Sequence, residues 1–351
     1  MKAIIAVETV VLAVLLAIAV ILCVNITSVP EAPVLTGPQL QQAGPGEVET
    51  DIPTEPLTTM PEETEPTWLV HEPGRELLAS QYFVYDVNEE EFVTISGAKD
   101  EIIYPASVTK LFTCYVALQY LEPEEVLTVG DEMEFVVYGS SVADLREGDK
   151  LTVSQLVEAM LLPSGNDAAY VLAVNAGRRI LNDKNADFMY ANTVFMAEMN
   201  EQVEELGMVN THFANPDGIH STDHFTCFSD LATLAAMSIK DPTIMKNAVI
   251  ANDTVTFIQR GTLVGEYDPE NENLGDTVKW KNTNELINPN SKYYCPYATG
   301  LKTGQTPYAG SCLLSSFEYE GKSYIIGVFG CPEKDDRFDD TLQLFNETIA
   351  Y

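Results

Sequence analysis

A serine followed three residues later by a lysine, where an apolar run begins, is a pair suited to acyl-transfer chemistry. Ser107-Val108-Thr109-Lys110 has that form. Positions i and i+3 share one face of a helix, so the Lys110 amine can lie against the Ser107 hydroxyl. A serine hydroxyl is a poor nucleophile until a neighbouring base takes its proton, and a lysine serves once burial makes its amine neutral. A helix N-terminus adds backbone N–H groups that face developing negative charge. The same letters recur in Ser96-Gly97-Ala98-Lys99, but that stretch contains glycine, ends a predicted strand and opens no helix. Position therefore favours Ser107.

Two further triplets carry residue types that such a site needs. Ser164-Gly165-Asn166 is the only Ser-x-Asn in the chain, and it breaks two predicted helices, Val153 to Leu162 and Asp167 to Ala176. Alone it reads as a helix cap. Lys302-Thr303-Gly304 is the only Lys-Thr-Gly and falls on a predicted strand, Gly300 to Thr306. Alone it reads as an edge strand with a solvated lysine. The three together, in this order, are far more specific.

The elements that must hold them follow from hydrophobic period and punctuation. Tyr82 to Val87 and Glu91 to Ser96 predict a hairpin about Asn88-Glu89-Glu90, and Pro105 introduces a long apolar helix from about Ser107 to Leu121. Further helices are expected at Glu198 to Leu206 and Ser229 to Ile239, strands at Ser311 to Tyr319 and Tyr324 to Gly330, and a last helix from about Asp335 to Ile349. Strands at both ends with helices between predict one α+β domain whose sheet unites the termini and carries a helical insert.

With these blocks in view, the chain resembles the D-alanyl-D-alanine carboxypeptidases among the low-molecular-mass penicillin-binding proteins. The resemblance runs through Tyr104 to Thr113, Met160 to Ala169, Asn210 to His220 and Thr299 to Thr306. It covers roughly residues 78 to 351, with 178–193 and 259–297 resembling insertions. It implies a β-lactamase/transpeptidase-like fold, a mainly antiparallel sheet flanked by helices with an all-helical subdomain. It also implies a serine peptidase of wall biogenesis and cell shape that removes the terminal D-alanine from the peptidoglycan stem peptide, with β-lactams as covalent inhibitors. By the same resemblance Ser107 attacks, Lys110 takes its proton, and Ser164 with Lys302 relays a proton to the leaving group. Asn166, Lys302, Thr303, Gly304 and Gln305 bind substrate, with Arg337 as a basic residue beside the site. No cofactor and no metal is expected. The second β-rich domain and C-terminal anchor frequent in the family are expected to be missing.

Lys110 and Lys302 are scarce cations. Lys and Arg total 19 against 53 Asp and Glu, a net charge of −34, which repels nucleic acid over most of the surface. With 351 residues and 46% hydrophobic content the chain is no small disulfide-stapled module. Residues 3–24 form an apolar run of bilayer length preceded by Lys2, which predicts a transmembrane anchor or a signal peptide over 1–28 and an extracytoplasmic domain beyond it. Residues 29–73 hold nine of the 19 prolines and predict a disordered, acidic tether, which leaves 74–351 as the catalytic domain.

Beyond Cys23 the five cysteines Cys114, Cys227, Cys295, Cys312 and Cys331 are odd in number and lack metal spacing, so at least one is a free thiol. His220 and His224 stand at i, i+4, but the turn residues Asn215-Pro216-Asp217-Gly218 upstream break a common helix with His212, and no third ligand is indicated. Their loop is expected to support the wall of the site. Two other readings stay open. One is a serine β-lactamase, which needs a carboxylate that activates water, Glu204 and Glu205 being the sequence candidates. The other is a membrane-anchored penicillin-binding sensor with little turnover.

Overall fold

The computed structural model describes residues 74–261 and 276–350. All of them fall in one unit of the chain, Glu63–Tyr351. The expected membrane run, the tether, Cys23 and part of the 259–297 stretch lie outside the described residues. Among the described residues no helix is long and apolar enough to cross a membrane.

β1 (Gln81–Asp86) and β2 (Glu91–Ile95) form the expected hairpin. A 3-10 turn over Ala106–Val108 leads into α1 (Thr109–Ala117), so the chain enters this helix through a tighter turn than the regular helix expected from Ser107. Eight of its nine residues are buried, the polar Thr109, Lys110 and Thr113 among them with Leu111, Phe112, Cys114, Val116 and Ala117. β3 (Val126–Thr128) and β4 (Lys150–Thr152) pair as a short ribbon that the sequence did not announce.

Thr152 starts α2 (Val153–Leu161) with a capping box. Its hydroxyl accepts the Gln155 N–H, and the Gln155 side chain accepts the Thr152 N–H. α3 (Asn166–Ile180) and α4 (Phe188–Glu205) follow, and the 178–193 stretch forms the end of the first and the start of the second. α4 buries one stripe, Ala191, Phe195, Met199 and Val203. α5 (Phe228–Ser238) and α6 (Pro242–Ala248) complete the helical layer, and β5 (Asn252–Thr256) pairs with β6 (Thr277–Lys281).

The chain then returns to the sheet through β7 (Ala298–Thr306), β8 (Gly310–Tyr319) and β9 (Lys322–Cys331), and ends on α7 (Asp336–Thr348). The five-stranded order is β2-β1-β9-β8-β7, antiparallel throughout, so β1 and β9 join the termini as expected. Alternation along each strand divides the core. Phe83, Leu314, Ile325 and Leu301 face the layer containing α1 and α5, whereas Val84, Leu313, Ile326 and Phe317 pack with Phe338, Leu342 and Phe345 of α7. The five described cysteines are all free and buried.

Candidate active site

Three elements meet at Ser107. The 3-10 turn presents the serine, half-buried, at the head of α1, and Lys110 follows one turn later with its side chain fully buried. The break between α2 and α3 brings in Asn166. The edge strand β7 runs alongside, and its approach depends on glycine. A Cβ on Gly304 would lie 3.0 Å from the Ala106 Cβ, 3.0 Å from the Pro105 carbonyl oxygen and 3.2 Å from the Ser107 nitrogen. The glycine of the third motif therefore lets β7 pass against the turn that carries Ser107.

The Lys110 Nζ has three partners: Ser107 Oγ at 2.9 Å, Asn166 Oδ1 at 2.7 Å and the Asp217 carbonyl oxygen at 2.6 Å. Burial pushes this amine down to about 8, against the opposing pull of the Asp217 and Asp167 carboxylates. A neutral amine keeps two N–H bonds and one lone pair. Carbonyl oxygens can only accept, so the two N–H groups stay on Asn166 and Asp217. The lone pair is left for the Ser107 hydroxyl proton. A neutral Lys110 therefore has the geometry to accept a proton from Ser107.

Lys302 is also buried, and its Nζ donates to the Thr303 carbonyl at 3.0 Å. The solvated edge lysine that the triplet allowed by itself is not what forms. Burial first, then the charges of Lys110 and Arg337, hold the Lys302 ammonium well below its ordinary value. Burial is the largest cause at both amines, and the charge of Lys110 adds to it at Lys302. Thr303 Oγ1 shares a proton with Thr283 Oγ1 at 2.6 Å, and Gln305 is exposed further along β7. Arg337 is buried on α7, where its Nη1 donates to the Gly304 carbonyl at 3.2 Å. It touches β7 through that carbonyl.

Ser164 is buried with φ +66°, in the left-handed region. The cap of α3 is Gly165, without a side-chain hydrogen bond, so neither Ser164 nor Asn166 is spent on capping. The loop over 141–145 locks this break from outside. Ser141 O accepts the Asn166 N–H at 2.8 Å, and the Asp167 carboxylate accepts the Ala143 and Leu145 N–H groups at 2.9 and 3.1 Å.

Two contributors escaped the sequence reading. The Asp217 carbonyl accepts both Lys110 Nζ and, at 3.3 Å, Ser107 Oγ. A backbone oxygen carries no residue-type signal, although the turn residues around Asp217 marked the loop as part of the wall. Buried His224 bonds Thr109 Oγ1 at 2.7 Å, and among the described residues no cluster could hold a metal ion. Glu204 and Glu205 are exposed at the end of α4.

An α+β fold of this order, with a buried lysine against a serine and a second buried lysine on the neighbouring strand, defines a serine acyl-transfer site. The family described as D-alanyl-D-alanine carboxypeptidase matches residues 67–333, and the chain belongs to it. A D-alanyl-D-alanine carboxypeptidase of Streptomyces sp. (strain K15) is 31% identical over 251 residues, which are 70% of this chain and 78% of that protein. The crystal structure of the Streptomyces K15 DD-transpeptidase superposes with a TM-score of 0.68 at 27% identity, covering 80% of this chain and 100% of that one. Penicillin-binding protein D2 from Listeria monocytogenes, in its ampicillin-bound form, gives 0.60 at 25% identity, covering 79% and 99%. The chain spans between 54% and 63% of the length of other curated carboxypeptidases that it matches.

Proposed function

We propose that the protein is a serine-type D-Ala-D-Ala carboxypeptidase that acts on the peptidoglycan stem peptide through an acyl-enzyme on Ser107. The observation that carries this reading is the buried Lys110 Nζ at 2.9 Å from Ser107 Oγ, with its other two contacts fixed on carbonyl acceptors. Ser107 Oγ attacks the carbonyl carbon between the two D-alanines, and its proton passes to Lys110. The oxyanion rests on the backbone N–H groups of Ser107 and Gln305. Collapse breaks the C–N bond, and a proton delivered through Ser164 and Lys302 leaves with the D-alanine amine. Water then hydrolyses the ester.

Asn166 spends its Oδ1 on Lys110, which leaves its Nδ2 to hold the substrate amide. Lys302 and Thr303 receive the terminal carboxylate, whose charge draws a proton back onto Lys302. Gly304 sets the distance of β7 from the serine, and Arg337 supports that strand through the Gly304 carbonyl while adding positive potential beneath it. β-Lactams acylate the same serine, in keeping with the ampicillin-bound relative. No cofactor and no metal enters these steps.

We further propose that residues 1–28 are a membrane anchor or signal peptide, 29–73 a tether and 74–351 the catalytic domain, working outside the cytoplasm at the wall. Release of D-alanine from a peptide ending in D-Ala-D-Ala, lost in Ser107→Ala, tests the enzymatic reading. A stable penicillin adduct without any D-alanine release supports a sensor instead. The relative named as a transpeptidase favours one added arm: an amino acceptor in the assay separates transfer to an amine from hydrolysis.

A further inference from the structure

Ala106, immediately before the nucleophile, sits at φ +48°, a conformation that a residue with a Cβ holds only where its surroundings impose it. Its carbonyl oxygen accepts the Thr109 hydroxyl at 2.8 Å. That hydroxyl has one proton, already committed to Ala106, so toward the His224 Nε2 at 2.7 Å it can only accept. The other ring nitrogen, Nδ1, accepts the Ala214 N–H at 3.1 Å. One tautomer satisfies all of this, the neutral ring with its proton on Nε2. The chain of donors therefore runs one way, from the Ala214 N–H through His224 and Thr109 to the Ala106 carbonyl.

The two ends of this chain are the two walls of the nucleophile. Ala214 belongs to the loop whose Asp217 carbonyl touches Ser107 Oγ and Lys110 Nζ. Ala106 belongs to the turn that presents Ser107. We infer that His224 is a positioning residue, which ties the Asp217 loop to the strained Ala106 turn in a single proton orientation and so fixes Ser107 Oγ against Lys110. Its ring is suited to the task at any working pH: burial, with His212, His220 and Lys110 adding like charge, pushes it down to about 3, so it stays neutral. The role rests on the reading of Ser107 as nucleophile, but it assigns to His224 and Thr109 a part that this reading does not use.

The test compares His224→Gln, whose amide can accept from Ala214 and donate to Thr109, with His224→Leu, which can do neither. Full-length protein is acylated with a fluorescent penicillin, and the rate constant is expressed per titratable active site. His224→Gln is expected to stay within about threefold of wild type and His224→Leu to fall by about thirty- to a hundredfold, as small misplacements of reacting groups do. Thr109→Val, of nearly the same shape, should fall as far as His224→Leu, and the double variant no further than either. A merely structural role would lower the number of active sites or the melting temperature and leave the rate per site alone. Wild-type rates per site in His224→Leu, or in Thr109→Val where the first variant does not fold, overturn the inference and leave Ser107 as nucleophile intact. A wild-type protein that penicillin does not label at Ser107 overturns both.

Discussion

The chain contains Ser-x-x-Lys twice, eleven positions apart, and the two copies have opposite fates. At Ser96-Gly97-Ala98-Lys99 the serine closes the β1–β2 hairpin: its Oγ donates to the Tyr82 carbonyl at 3.1 Å and accepts the Tyr82 N–H at 2.6 Å. Lys99 is exposed. At Ser107-Val108-Thr109-Lys110 the helical path puts both side chains on one face, the lysine is buried, and its amine meets two carbonyl oxygens and the Ser107 hydroxyl. The letters are the same, and what differs is the backbone that carries them. An extended or turning path separates i from i+3, whereas a helical one stacks them. Burial then lowers the Lys110 amine toward neutrality.

Removing the serine or the lysine from each copy in turn is the strongest way to break this contrast. Ser107→Ala should abolish covalent labelling by penicillin and lower D-alanine release by about 10⁴-fold or more. Lys110→Met, which keeps the length of the side chain without its amine, should cost about 10²- to 10⁴-fold in acylation rate. Ser96→Ala and Lys99→Met should each leave the rate within about twofold. Peptide mapping of the labelled protein decides the matter directly, since label on the peptide containing Ser96 rather than Ser107 reverses the assignment of the two copies.

The pH dependence sharpens the comparison, because only the buried copy has a lysine poised to act as a base. With the Lys110 amine pushed down to about 8, the neutral fraction grows about tenfold per pH unit below that value and levels off above it. Acylation rate should follow, rising from pH 6 to 8 in wild type and in Lys99→Met alike. Stability has its own sign. The unfolded chain holds this proton up to the ordinary lysine value of 10.5 while the folded one releases it near 8. Between those limits the unfolded state binds more protons, so this group makes stability rise with pH from about 8 to 10.5. Lys110→Met should remove that slope in denaturant titrations, at the expense of activity.

The same contrast marks how far the sequence could be read. The sheet was legible because alternation leaves its mark in single residues: Phe83 and Val84 are neighbours that serve opposite cores. The three motifs were legible because their chemistry needs particular side chains. α4 was caught only at its C-terminal end, since its buried stripe of Ala191, Phe195, Met199 and Val203 is narrow and the exposed Met189 and Tyr190 blur the period at its start. The β3–β4 ribbon was missed because three residues are too few to display a period. Within the site, the Asp217 carbonyl is a backbone atom that any residue would supply. The His224 ring was visible as a histidine, but its tautomer follows from Ala214 and Thr109, which only the fold brings to it.

The smallest effects come from the glycines beside the two copies, and they should separate activity from stability. Gly304 is packed against the nucleophile turn, where an added Cβ meets Pro105 and Ser107 backbone atoms and the Ala106 Cβ at 3.0 to 3.2 Å. Backbone cannot swing aside as a side chain does, so β7 and the turn must part by a few tenths of an ångström, in the coordinate that sets Ser107 against the substrate. Gly304→Ala should therefore lower the acylation rate by about tenfold with little change in melting temperature. Gly97 lies in the other copy at φ +76°, and its added Cβ would meet only the Glu101 carboxylate at 3.0 Å, the far end of a flexible side chain. Gly97→Ala should cost about 1 kcal/mol of stability from the left-handed backbone and nothing in rate. Thermal melts and acylation rates on the two variants check both halves. A Gly97→Ala enzyme slowed as much as Gly304→Ala would mean that the hairpin copy reaches the site after all, because backbone strain at an exposed turn has no other route to the nucleophile.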